Sequence, residues 1–189
     1  MEDKFSFIVN GKTIVTTEDV NLLDFLRDDL GLISVKDGCK EGACGTCTIL
    51  VDGKAMKSCI FTTKKVAGKE ITTIEGFTER EKEVFAYAFT ECGAVQCGFC
   101  IPGMVVAAKA LFLRTLDPTS DEVKKALVGN ICRCTGYVKI EQAIMLAAKL
   151  FRENKPVPHR ECKGLIGTNV HRVDAVSYTH LRAHETELH

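Results

Sequence analysis

The chain has 189 residues, 46% hydrophobic content and equal numbers of basic and acidic side chains, 25 of each. That is apolar enough for a packed core in one ordinary domain or two small ones, and the charge balance offers no basic face for nucleic acid. No apolar run approaches the roughly 18 residues of a membrane span, and MEDKFSFIVNGK has none of the basic, apolar and cleavage segments of a secretory signal, so no membrane is expected and the compartment expected is cytoplasmic.

Residues 3 to 17 read as a hairpin. Phe5, Phe7 and Val9 alternate along its first strand, and Asn10-Gly11 is a type I′ turn signal. Leu22, Phe25, Leu26 and Leu30 then recur at helical spacing, with Gly31 where a left-handed cap would end the helix. Cys47 to Val51 reads as a strand, Asp52-Gly53 as a turn, and Lys54 to Lys64 and Glu70 to Ile74 as further strands. The expectation is a small α+β domain over residues 1–76.

From Glu79 the apolar period becomes helical. Val84, Phe85, Ala88 and Phe89 form one stripe, and Val105, Ala108, Leu111 and Phe112 a second. A third helix opens at Thr119, which has capping-box spacing to Glu122; a fourth carries Ile140, Ala143, Ile144, Ala147 and Phe151. Four short helices with brief connections predict a compact bundle over residues 77–155. The charged stretch Thr78 to Glu83 reads as a solvated face.

Ten cysteines in a reducing compartment argue for metal or redox chemistry rather than a disulfide framework. Cys39, Cys44, Cys47 and Cys59 are separated by four, two and eleven residues, the plant-type [2Fe-2S] ferredoxin spacing. Gly38, Gly42 and Gly45 suit a loop whose backbone N–H groups must approach a cluster. Zinc also takes four thiolates, but usually from two short knuckles. Cys97 and Cys100, in QCGFC, are followed 31 residues later by Cys132 and Cys134, in NICRC. Pro102 and Gly103 put the first of these pairs at a helix entrance, where the positive dipole end favours thiolate. Read alone, this second quartet also fits zinc or a redox dithiol.

The strings DGCKEGACGTCTILVDG, QCGFCIPGM and GNICRCTGY closely resemble the iron-sulfur portion of the xanthine dehydrogenase and aldehyde oxidoreductase family of molybdenum hydroxylases, from about Phe5 to Phe151. The resemblance implies a β-grasp plant-type ferredoxin domain followed by a helical-bundle domain, each with its own [2Fe-2S] cluster. It implies electron flow from a molybdopterin-bound molybdenum, held by a catalytic partner subunit or fused domain, to the Cys97, Cys100, Cys132 and Cys134 cluster. From there electrons pass to the Cys39, Cys44, Cys47 and Cys59 cluster, then to FAD in a further subunit or to another acceptor. It also places Gln96 and Cys134 beside the pterin. A free-standing ferredoxin-like carrier and a structural zinc module are the competing readings.

The remaining features read more blandly. Cys92 is expected as a small buried apolar side chain on the helix before QCGFC, and Cys162 as a free thiol. Phe99 and Tyr137 are weighed as packing ahead of cluster shielding, and Arg133 equally as a tuning charge or a surface ion. Residues 156–175 read as a linker in which IGTNVHRVDAV resembles the opening of the family's molybdenum-binding subunit. Residues 176–189 match nothing in the family and are expected to be a non-native, disordered tail, His180 and His184 included.

Overall fold

Asn10 and Gly11 both take the left-handed backbone of a type I′ turn, with φ of +49° and +78°, and fold strand β1 (Phe5–Val9) back on β2 (Lys12–Thr16). The structure, a computed structural model, describes residues 4–158. The expectations for Cys162, the histidines and the segments beyond residue 158 lie outside the described residues. Along β1 the alternation holds, with Phe7 and Val9 buried and Ser6 and Ile8 turned outward.

Strands β3 (Thr48–Val51), β4 (Lys54–Lys57) and β5 (Glu70–Thr72) complete a mixed sheet of order β2-β1-β5-β3-β4. The β1–β5 pair is parallel and the other three are antiparallel. Helix α1 (Leu22–Asp24) runs on into a π-helical turn, Phe25–Asp29, and ends before Gly31 at φ +67°. Its Leu22, Leu23, Phe25 and Leu26 are buried against Phe7, Ile49 and Ile71, which explains the helical spacing of the apolar residues.

Three strand expectations need correction, the simplest being that β5 stops at Thr72 and Ile74 opens a 3₁₀ turn, Ile74–Gly76. β3 begins at Thr48 rather than Cys47, and the strand expected to run to Lys64 stops at Lys57, where a 3₁₀ turn, Ser58–Ile60, begins. The Ser58 amide and hydroxyl both donate to the Cys47 carbonyl, at 3.1 and 3.0 Å, and this turns Cys59 inward beside Cys47. A ladder continued past Lys57 would not do so.

The helices α2 (Glu79–Glu91), α3 (Ile101–Phe112), α4 (Ser120–Leu127) and α5 (Val138–Glu153) form the bundle. Thr78 and Thr119 each form a full capping box, with Glu81 and Glu122 respectively. Glu81 departs from the solvated face expected of its segment: it is partly buried and pairs with Lys109 of α3. In the core Phe85 stacks on Phe112, centroids 5.7 Å apart, and meets Phe151 edge-on at 5.6 Å.

All four residues of β3 are buried, because the strand is covered on both faces. Ile49 and Val51 join the core beneath α1, whereas Leu50 joins the helical core with Met104 and Leu111. α3 packs directly on β3, and residues up to Val157 make one compact unit. Gly103 permits this approach. A Cβ there would lie 2.4 Å from the Gly45 carbonyl oxygen.

Candidate iron-sulfur centres

The first quartet sits on the loop between α1 and β3 and on the turn after β4. Cys47 and Cys59 are buried, Cys39 and Cys44 half-buried. The Cys44 and Glu41 amides donate to the Cys39 sulfur at 3.4 and 3.5 Å, and these two donors hold its thiol down to about 7. Lys57 braces the loop by donating from Nζ to the Gly42 carbonyl at 2.6 Å, and the Asn21 amide holds the Cys59 carbonyl at 2.9 Å. Burial and the neighbouring Cys47 sulfur push Cys59 up to about 11.

The second quartet joins two helix starts. Cys100 caps α3, with Pro102 in the first turn as expected, and Cys97 lies one turn earlier. Cys132 and Cys134 lie on the segment between α4 and α5. Cys134 and Cys97 are exposed with sulfurs 3.6 Å apart; Cys100 and Cys132 are buried and in contact. Burial, then Cys132, pushes Cys100 up to about 12. Burial also works on Cys132, but hydrogen bonds from the Thr135 hydroxyl and amide, the Cys134 amide and Cys100 together outweigh it and lower its thiol.

The sulfurs therefore group as pairs: Cys39 with Cys44, Cys47 with Cys59, Cys97 with Cys134, and Cys100 with Cys132. Among the described residues no three Cys, His, Asp or Glu side chains converge as one mononuclear ion requires. A [2Fe-2S] cluster takes two thiolates at each iron, so pairs of sulfurs are the donor set it needs. Gly42 and Gly45, both at φ +72°, let the first loop curl with its amides inward.

The two quartets are tied by backbone. The Ile131 amide donates to the Cys44 carbonyl at 2.8 Å, one residue before Cys132. Buried Asn130 donates from Nδ2 to the Gly45 carbonyl at 2.8 Å and to the Thr48 hydroxyl at 3.2 Å. A Cβ on Gly45 would lie 2.1 Å from the Gly129 carbonyl oxygen. Phe99, between Cys97 and Cys100, reaches across to the first loop beside Gly38 and stays 45% exposed.

Residues 7–73 match the 2Fe-2S iron-sulfur cluster binding domain family, and residues 73–145 match the [2Fe-2S] binding domain family. The chain is 45% identical to the nicotinate dehydrogenase small FeS subunit of Eubacterium barkeri, over 73% of this chain and 88% of that one. The chain belongs to the iron-sulfur portion of the molybdenum hydroxylase family. Aldehyde oxidoreductase of Megalodesulfovibrio gigas is 40% identical over 82% of this chain but only 18% of its own length. In the solved structures, a chain of quinoline 2-oxidoreductase from Pseudomonas putida 86 superposes with a TM-score of 0.73 at 38% identity, covering 82% of this chain and 98% of that one.

As an iron-sulfur portion of this family, the chain is an electron-transfer component of an oxidoreductase, and several of its relatives are named as subunits of larger dehydrogenases. Among the described residues no helix is long and apolar enough to cross a membrane. Cys92 caps α2 and is half-buried against the helical core, less enclosed than its expected burial. Gln96 and Arg133 are both exposed, next in sequence to Cys97 and to Cys132 and Cys134. Sequence reasoning missed Asn130 and Thr135, and weighed Tyr137 only for its ring. Asn130 follows a helix end in GNICRC, a position rich in turn signals, and nothing local marks it as a bridge.

Proposed function

We propose that Cys39, Cys44, Cys47 and Cys59 hold one [2Fe-2S] cluster, that Cys97, Cys100, Cys132 and Cys134 hold the other, and that the two work in series. The clusters supply one-electron carriers, and the chain fixes their order and surroundings. The observation that carries this reading is the Ile131-to-Cys44 hydrogen bond, which joins a ligand of one quartet to the neighbour of a ligand of the other.

Entry is at the second quartet. Cys97 and Cys134 are its exposed ligands, and close to the quartet in sequence Val95, Phe99, Ile131 and Val138 are exposed apolar side chains. A groove of about 250 Å³ lies beside Ile131, the residue before Cys132, and is lined also by Val128 and Tyr137. Such a patch suits a protein partner carrying the molybdopterin-molybdenum centre, with Gln96 and Cys134 hydrogen-bonded to the pterin. Exit is at the half-buried Cys39 and Cys44, toward FAD in a second partner or another acceptor. The holoenzyme is a xanthine dehydrogenase- or aldehyde oxidoreductase-type hydroxylase in the cytoplasm. The partner is either a separate subunit, as the small-subunit relatives have it, or a continuation of the same polypeptide, as in the aldehyde oxidoreductase.

Iron and acid-labile sulfide assays on anaerobically reconstituted chain test the assignment. About four irons and about four sulfides per chain, two of each for every [2Fe-2S] cluster, are expected. A red-brown protein with two distinct paramagnetic signals on reduction should accompany them. Substantially less iron after full reconstitution sinks the assignment.

A further inference from the structure

Four hydrogen bonds close a ring around Cys132. Its amide donates to the Tyr137 hydroxyl at 2.9 Å, and the Tyr137 amide donates to Thr135 Oγ1 at 3.3 Å. Thr135 Oγ1 in turn lies 3.1 Å from Cys132 Sγ, and the Thr135 amide donates to the same sulfur at 3.4 Å. The turn that brings these groups together is left-handed at both Gly136, φ +68°, and Tyr137, φ +72°. A tyrosine rarely takes that backbone, so the conformation is held by its surroundings.

The donor arithmetic fixes the direction of the short contact. A threonine hydroxyl has one hydrogen and two lone pairs, and a ligating thiolate has no hydrogen to give. The Tyr137 amide occupies a lone pair of Thr135 Oγ1, so the hydroxyl hydrogen is free for Cys132 Sγ. The first quartet has a partial counterpart in Thr46, 3.2 Å from Cys44 Sγ, but that hydroxyl lies equally close to the Lys36 carbonyl, a competing acceptor at 3.2 Å. Only the second quartet has a hydroxyl with no rival acceptor among the described residues.

We propose that Thr135 is a positioning residue that raises the reduction potential of the cluster Cys132 helps to hold, by donating its hydroxyl hydrogen to that sulfur. This rests on the ligand assignment above. Reduction adds one electron and makes or breaks no bond to the chain. The added charge spreads onto the ligand sulfurs, so a donor there favours the reduced form. Tyr137 anchors the device by tying the Cys132 amide and orienting Thr135.

The test is a potentiometric titration of the reconstituted full chain with dithionite, followed by electron paramagnetic resonance. The signal of the second cluster is identified as the one that survives in Cys44→Ser. Thr135→Val keeps the shape and removes the donor; it should lower that signal's reduction equilibrium about tenfold, which is about 59 mV for one electron. The other signal should stay in place, and Thr135→Ser should bring the potential back toward the parent value. Should the valine chain not take up iron, Thr135→Ala reads the same shift. An unmoved potential at full iron content, or an equal shift in the serine variant, overturns the proposal while leaving the ligand assignment intact. Low iron in the parent chain overturns the ligand assignment and this inference with it.

Discussion

The two cysteine quartets present the same donors through different architecture. The first is mostly one loop, Cys39 to Cys47, closed by a single residue from the next turn, and its shape comes from local hydrogen bonds and left-handed glycines. The second is assembled from two helix entrances that meet only when α3, α4 and α5 have packed. Local loops can hold their sulfurs in a partly folded chain, whereas a site made of distant segments depends on the core beneath it. The exposure pattern differs in the same sense: the first quartet has no exposed cysteine, and the second leaves Cys97 and Cys134 exposed.

The sharpest way to break this comparison is to remove one ligand from each site. Cys44→Ser should delete one of the two paramagnetic signals and leave the helical circular dichroism of the bundle unchanged. Cys134→Ser should delete the other signal and abolish reduction of the first cluster by substrate in the intact enzyme. Both signals surviving in either variant would mean the ligands are wrongly assigned.

Next in size is the seam between the sites. Gly45→Ala forces a side chain into a left-handed position and against the Gly129 carbonyl. A loss of roughly 3 kcal/mol or more in denaturant unfolding is expected. Asn130→Ala is milder, because Thr48 still satisfies the Gly45 carbonyl through its amide and hydroxyl. It should cost about 1–2 kcal/mol and slow electron passage between the clusters, measured by stopped-flow reduction, without changing iron content.

The smallest effect is an acid sensitivity of the helical half. Burial works against the Glu81 carboxylate, but Lys109 and the Thr78 cap overcome it and hold its acid below the usual range. A lowered folded value means that the stabilisation is present above the unfolded value and is lost as pH falls through the folded one. Glu81→Gln should therefore cost on the order of 1 kcal/mol at neutral pH and almost nothing once the wild-type carboxylate is protonated. Thermal melts of both chains across the acid range, converging at low pH, would bear this out; a constant gap would not.

Much of this protein was legible in the chain because the relevant signals are short-range. The Asn10-Gly11 turn, the Thr119 capping box, the helical stripe of α2 and the spacing of Cys39, Cys44 and Cys47 each depend on residues within a turn or a loop of one another. Boundaries failed where a distant contact decided them: the strand past Lys57 ends because Ser58 bonds to Cys47, and Glu81 leaves the solvent because Lys109 faces it from another helix.

The sequence by itself determined the eight candidate sulfur ligands, the α+β class and the family resemblance, since ligand spacing and hydrophobic period are written in local order. Only the tertiary structure decided which sulfurs pair, which pair is exposed, and that Asn130, Ile131, Thr135 and Tyr137 link and surround the ligands. The longest of those relations, Ile131 to Cys44, joins residues 87 positions apart, and packing of β3 between two cores is what brings them within hydrogen-bonding reach.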